Sequence, residues 1–403
     1  MFFPVLHPFP SVFSLQPSTL EKHRPGLNGK LLNRLVFHLF QSVFHRLSEK
    51  YPPTPSDLRG RPLKKILVFS AAGIGDTLTD SVAIRALKES FPQAQITVVT
   101  HRRRAALVRH NPFTNRVILY HKSIFRFFSL ALSLRRDGYD AIVMLRGNDP
   151  DLWPLAYLVN RHAVVSCPIM TRFGFLISHP VSIPAWDQTH GVEQTLEIVR
   201  SLGAQTKDPR LVYTVQQEER ESIRRQLGSD PRPLVVFQTG GGRRSAWRDW
   251  PAEHYASLGR LLLENYDVRL ALLGGRDLTA KAASIQSALP AEVLNLTGKL
   301  TLAESAALLA ESKILVSTDT GIMHLGFAVG VDTLALIHCN NPASRVGPWG
   351  YGQQHPVVQL QPPPGAAADT RVSMSLITPS QVWQTLDSLC QRHGFCCLQK
   401  RKN

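Results

Sequence analysis

Short apolar runs alternate with stretches of helical period along most of this chain, break off, and then begin again. The first set is Ile66 to Phe69, Ile96 to Val99, Val117 to Tyr120, Ala141 to Leu145 and Ala163 to Val165. The second is Leu234 to Phe237, Leu270 to Leu273, Val293 to Leu296, Ile314 to Val316 and Thr333 to Ile337. Runs so short and so apolar read as strands covered on both faces, and a helix between successive strands makes them run parallel. Two such sets predict two α/β domains. The segment Asp208 to Pro233 is polar and contains Pro209, Pro231 and Pro233, so the connection between domains falls there. With 403 residues the chain holds both domains and an extension, divided as 1–60, 61–207, 208–375 and 376–403. The last part combines a helix, Pro379 to Cys390, with the basic end Lys400-Arg401-Lys402.

Chemistry is expected where strands end. The run Ile314 to Val316 passes through Ser317-Thr318-Asp319-Thr320-Gly321 into a helical segment carrying Met323, Leu325, Phe327 and Val329. The first N–H groups of such a helix lack internal partners and carry the positive end of its dipole, which suits a phosphate. Gly321 would admit a ligand to the backbone, Thr320 offers a hydroxyl, and His324 lies one turn on. Ser317 or Asp319 acting only as a helix cap is the plainer account of the same residues.

Each domain also opens with a strand followed by glycines. Ile66 to Phe69 leads into Ser70-Ala71-Ala72-Gly73-Ile74-Gly75-Asp76-Thr77, a partial dinucleotide fingerprint lacking its third glycine. Asp76 sits where a strand's carboxyl end meets a helix start; it is either a helix cap or a general base. Val235 to Phe237 leads into Gln238-Thr239-Gly240-Gly241-Gly242, followed by Arg243, Arg244 and Arg248, whose forked donors suit phosphate oxygens. A flexible basic loop is the alternative. Gly274-Gly275-Arg276-Asp277 adds a third loop at the same sheet end.

The extension has two parts. Met1 to Pro25 mixes Phe and Pro without periodicity, is expected to be loosely ordered, and lacks the features of a signal peptide. Lys30 to Lys50 sets Leu31, Leu35, Leu39, Val43 and Leu47 at helical spacing with Lys30, Arg34, His38 and Arg46 elsewhere on the wheel. This basic amphipathic helix fits an anionic bilayer interface and equally a helix docked on its own protein. Tyr51-Pro52-Pro53-Thr54-Pro55 ends it and reads as a linker. The net charge of +16 calls for an anionic partner. Nucleic acid is disfavoured, because the basic residues are scattered and no stacking platform or reading helix is visible. The 5 cysteines have neither zinc nor disulfide spacing, and no run approaches the ~18 residues of a membrane span. A cytoplasmic protein is expected.

The segments Ile66 to Arg85, Trp247 to Tyr255, Leu272 to Asp277, Asn295 to Lys299 and Ser317 to Leu325, with Asn341-Pro342-Ala343 and Gly347-Pro348-Trp349-Gly350, resemble glycosyltransferase family 9, the lipopolysaccharide heptosyltransferases. The resemblance covers residues 64 to 390. It implies an α/β GT-B fold, two Rossmann-like domains facing across a cleft, here with the basic N-terminal extension. The acceptor would lie on the first domain and the nucleotide-sugar on the second, and the final helix would return to the first. It implies inverting transfer of a heptose or related sugar from a nucleotide diphosphate, ADP foremost, to a lipopolysaccharide-type or other lipid-linked saccharide. By resemblance Asp76 is the base and Gly73 and Gly75 form the acceptor-side loop. The donor residues are Thr239, Gly240, Arg248, Asp277, Asp319, Thr320, Gly321 and His324. Arg248 stands where the family commonly has a lysine. No metal and no cofactor are expected, and the enzyme would work in the cytoplasm, peripherally at the inner membrane, where 30–50 would make any membrane contact. The rival readings are a non-catalytic binding protein on the same fold and a nucleotide-sugar epimerase or hydrolase.

Overall fold

The computed structural model describes residues 27–60, 62–121, 124–147, 150–241, 243–362 and 372–398. The stretch Met1 to Pro25, Gly242 and the end Lys400-Arg401-Lys402 lie outside the described residues, as do the side chains of Arg243 and Arg244. The chain divides into two compact units, Met1–Tyr51 and Pro52–Asn403.

In the first unit a single helix is described, α1 (Leu27–Lys50), which contains the amphipathic run expected over Lys30 to Lys50. Leu39 and Val43, one turn apart on it, are 67% and 51% exposed. Among the described residues no helix is long and apolar enough to cross a membrane.

The second unit contains two sheets. In the first half the strands are β1 (Lys65–Ala71), β2 (Gln95–His101), β3 (Arg116–Tyr120), β4 (Ala141–Gly147), β5 (Val164–Ser166) and β6 (His179–Pro180). The helices are α2 (Ile74–Ser90), α3 (Ala105–Arg109), α4 (Ile124–Asp137), α5 (Leu152–Asn160) and α6 (Gly191–Arg200). Then comes α7 (Gln217–Leu227), inside the segment expected to be a polar connection. It packs on the second half, and both Arg220 and Arg224 pair with Glu311, at 2.6 and 2.9 Å. The second half has β7 (Leu234–Gln238), β8 (Arg269–Leu273), β9 (Leu294–Asn295), β10 (Ile314–Thr318), β11 (Asp332–Ile337) and β12 (Val357–Gln359). Its helices are α8 (Ala252–Asn265), α9 (Thr279–Ser287), α10 (Leu302–Glu311), α11 (Gly321–Val329), α12 (Ala343–Val346) and α13 (Pro379–Arg392).

All strand pairs within the two sheets are parallel. The orders are β3-β2-β1-β4-β5-β6 and β12-β11-β10-β7-β8-β9. Read from the first strand of each set, these are one topology: the first strand is central and borders the fourth. Chain direction across the sheet reverses between those two strands, so the loops leaving them diverge and open a crevice at their carboxyl ends.

Every residue of α2 from Thr77 to Leu87 is buried. A helix buried on all sides has neighbours on all sides, and α2 lies among its own sheet, α6 and α11. One apolar cluster therefore runs from Val68, Val98 and Val143 of the first sheet through Leu78 and Val82 to Leu325, Phe327, Leu315 and Val236 of the second half. The opposite face of the second sheet has a separate cluster, including Phe237, Trp250, Leu272 and Val316.

The final helix departs from the sequence expectation. It does not return to the first half but lies against α8, with Val382, Leu386 and Leu389 buried in the second half's own cluster. The Trp250 indole N–H donates to the Ile377 carbonyl at 2.8 Å, and the Tyr266 hydroxyl bonds Asp387 at 2.6 Å. These anchors hold the segment on the side where its apolar stripe finds a partner.

Candidate active site

Asp76 occupies the third position of α2, and Gly73 is the residue before that helix. One carboxylate oxygen reaches back to accept from the Gly73 N–H at 3.1 Å, so Asp76 does steady its own helix start. The other oxygen accepts from Arg146 Nη1 at 2.6 Å. Arg146 lies at the end of β4, so base candidate and arginine flank the reversal point of the first sheet. Burial alone would raise the Asp76 carboxyl; the adjacent guanidinium, the Gly73 N–H and His324 outweigh it and hold the group below the usual carboxylate range. Its side chain remains 37% exposed, open to an incoming hydroxyl.

The reversal point of the second sheet lies opposite. Thr320 precedes α11 in extended backbone and makes no side-chain bond to that helix's start, while the Met323 N–H returns to the Thr320 carbonyl at 3.1 Å. The Asp319 carboxylate is engaged from two sides, by Arg248 Nη1 at 2.5 Å and Asn341 Nδ2 at 2.6 Å. It therefore ties the loop before α8 to the loop after β11.

The two helix starts touch. A methyl group built on Gly75 would come within 2.6 Å of His324 Cδ2, and one on Gly321 within 2.5 Å of Ile74 Cβ. The sequence pointed to Gly321 as room for a ligand; in the structure that space holds Ile74. His324, 8% exposed, stands at the junction. Burial lowers its proton affinity, Asp319 and Asp76 raise it, and Arg146 and Arg248 lower it again. One imidazole thus feels charges from both halves.

The remaining sequence candidates are more dispersed. Thr239 is fully buried, with its hydroxyl donating to the Leu273 carbonyl at 3.3 Å. Gly240 has φ +141°, and a side chain there would meet the Asp249 carboxylate, which accepts from the Gly241 N–H at 2.7 Å. Asp277 stands exposed in the short turn Arg276–Leu278. Among the described residues there is no group of three or more His, Cys, Asp or Glu placed to hold a metal ion.

Sequence reasoning missed Arg146 and Asp80. Asp80 is one turn after Asp76, fully buried, and accepts from the Ser70 hydroxyl at 2.6 Å. The available signal was weak: a charged residue directly after the apolar run Ala141 to Leu145, and a second carboxylate at i+4. The Asn341 segment was noted, but not its grip on Asp319.

Comparison with known proteins fits this arrangement. Residues 127–372 match the model of glycosyltransferase family 9 (heptosyltransferase). Lipopolysaccharide heptosyltransferase 1 of Pseudomonas aeruginosa is 27% identical over 315 residues, covering 72% of this chain and 83% of that protein. Lipopolysaccharide heptosyltransferase 2 of Salmonella typhimurium is 28% identical over 296 residues, covering 69% and 84%. The structure of the Escherichia coli ADP-heptose heptosyltransferase II superposes with TM-score 0.70 at 23% identity, over 82% of this chain and 99% of that one. That likeness confirms the GT-B fold, and with the family match spanning more than half of its length the chain belongs to glycosyltransferase family 9 and is a glycosyltransferase.

Proposed function

We propose that the protein transfers a heptose or closely related sugar from a nucleotide diphosphate, ADP foremost, to a hydroxyl of a lipopolysaccharide-type saccharide, with inversion at the anomeric carbon. The observation that carries this reading is the meeting of Asp76 with the α11 start and His324 across the two halves. The names of the relatives support the sugar and the acceptor class. The nucleotide draws support from an E. coli heptosyltransferase of similar fold, TM-score 0.61, whose structure was solved with ADP.

In this mechanism the acceptor hydroxyl loses its proton to Asp76 as its oxygen attacks the anomeric carbon. The bond from that carbon to the diphosphate oxygen breaks, and the leaving electron pair stays on the diphosphate. The first amides of α11, the Thr320 hydroxyl and His324 meet the growing negative charge. Asp319, its charge balanced by Arg248 and its oxygen hydrogen-bonded by Asn341, frames the sugar with its repulsion of the phosphates reduced. Proton release from Asp76 to solvent closes the cycle through its exposed edge.

Thermal stabilisation against a panel of nucleotides and nucleotide-sugars tests the donor, because a ligand of the folded state alone raises Tm with its saturation. ADP and ADP-sugars should give the largest shift. A preference for UDP or GDP compounds would overturn the donor, and silence across the panel would overturn the donor site.

A further inference from the structure

Two carboxylates face one guanidinium beneath the proposed base. Arg146 gives Nη1 to Asp76 at 2.6 Å and Nη2 to the Gly191 carbonyl and Gln194 Oε1, at 2.9 and 2.8 Å. Its Nε points towards Asp80 Oδ1 at 4.0 Å, and neither of these buried atoms has a hydrogen-bond partner. Buried polar atoms are rarely left so, and a mutually facing donor and acceptor one small movement from bonding is an unused alternative.

The backbone sets this geometry. In the pairing of β1 with β4 the register slips after Phe69, so that Ser70 lies opposite Arg146 rather than Leu145. Paired residues share a sheet face, and the slip turns Arg146 to the face where Ser70 bonds Asp80. Gly191 at the start of α6 leaves the space for the guanidinium: a methyl there would lie 3.0 Å from Nη2.

We propose that Asp80 is a positioning residue for the base: it competes with Asp76 for the Arg146 guanidinium and so sets how strongly Asp76 takes up a proton. The proposal rests on the reading of Asp76 as the base. When Asp80 is neutral, the full charge of Arg146 acts on Asp76 and weakens it as a base. When Asp80 is ionised, the guanidinium is shared, and a second negative charge one turn away strengthens Asp76 further. Burial pushes the Asp80 carboxyl up, while Arg146 and the Ser70 hydroxyl pull it down and Asp76 adds to the rise, leaving it at about 7. The other groups facing this cluster are Gln194 on α6, His324 on α11, which acts on Asp76, and His190, which lies close enough to feel Arg146 and His324.

The test is single-turnover transfer by the full chain between pH 5.5 and 8.5, with Asp80→Asn and Ser70→Ala beside the unaltered protein. The unaltered rate should rise through about pH 7. Asp80→Asn should match it at pH 6, lack the rise, and be slower at pH 8. A neighbouring charge shifts a carboxylate by about 1–3 units, and if about half of that basicity is felt in the transition state the deficit is roughly 3- to 30-fold. Ser70→Ala withdraws a bond from the ionised Asp80, so its rise should move to higher pH with both plateaus kept. A profile of Asp80→Asn parallel to that of the unaltered protein, or identical to it, overturns the proposal, as does an unmoved midpoint in Ser70→Ala. Retained transfer in Asp76→Asn would instead overturn the base assignment, so the two failures are distinguishable.

Discussion

As the proposed base, Asp76 faces two demands that pull apart: it has to be ionised to accept a proton, and basic enough to want one. Arg146 secures the first at the expense of the second by holding the carboxyl below its usual range. Asp76→Asn keeps the shape and an oxygen for Arg146 but cannot take a proton. It should lower the transfer rate by about 10²- to 10⁴-fold, with nucleotide binding kept and a lower Tm, because the amide leaves the Gly73 N–H without an acceptor and Arg146 without its ion-pair partner. Undiminished transfer by a folded Asp76→Asn protein would remove the base. Asp76 was legible in the sequence because a carboxylate at a strand-to-helix turn is a local feature. Arg146 and Asp80 were not, because what joins them is a one-residue register slip between strands far apart in sequence. Thr239 entered the donor set by resemblance alone, and which way its hydroxyl turns, here to the neighbouring strand, is set by tertiary packing that the sequence does not display.

Among elements, the starts of α2 and α11 bring the two halves into direct contact at the site. Glycine at 321 is needed there for space, since Ile74 Cβ sits where a methyl would go. Gly321→Ala should push the helix starts apart, cost about 1–3 kcal/mol as overpacking does, and reduce transfer. Ile74→Gly in the same chain should recover part of both losses, a coupling that independent sites would not show. Strict additivity in a thermal-denaturation cycle would mean that the contact is not made in solution. The longer strands were legible from their apolar runs. β6 and β12 were not: two- and three-residue edge strands carry no periodic signal, and His179–Pro180 is polar and proline-bearing. The side on which α13 docks was also beyond reach, because its stripe of Val382, Leu386 and Leu389 fits any apolar surface and Trp250 decides which one.

For the whole molecule, buried histidines govern the response to acid. Burial lowers His190 and His355 to about 4 each, and lowers His324 as well. His190 Nδ1 accepts from the Val192 N–H, a bond that protonation removes, while its Nε2–H donates to the Gly347 carbonyl at 3.1 Å across the two halves and the ring stacks on Trp349. Unfolding returns these rings to about 6.5, so between pH 6.5 and 4 the unfolded chain binds more protons and stability falls with pH. Asp80 works the other way: its folded value, raised to about 7, means that the folded chain holds the extra proton and this group's contribution fades as pH rises from about 4 to 7. Two protons against one leave a net loss of up to about 1.4 kcal/mol per pH unit on acidification, steepest near pH 5, and His324 adds to it. Urea midpoints measured from pH 6.5 to 4.5 should fall accordingly, and His190→Gln should flatten the slope by about one proton. An unchanged slope in that variant would mean that His190 is not buried neutral.

The apolar cluster that runs unbroken from the first sheet through α2 into the second half also bears on how such enzymes can be re-engineered. Two-part architectures invite cassette exchange, in which a nucleotide-binding half of different preference is grafted onto an existing acceptor half. Here the cut would pass through shared hydrophobic packing. A grafted half would have to reproduce the side chains that Leu78, Val82 and Ile74 meet, or the hybrid would begin life with a cavity or a collision at its seam. New donor preferences are therefore more readily introduced by substitutions in the loops around Arg248 and Asn341, which border the site and leave the seam intact.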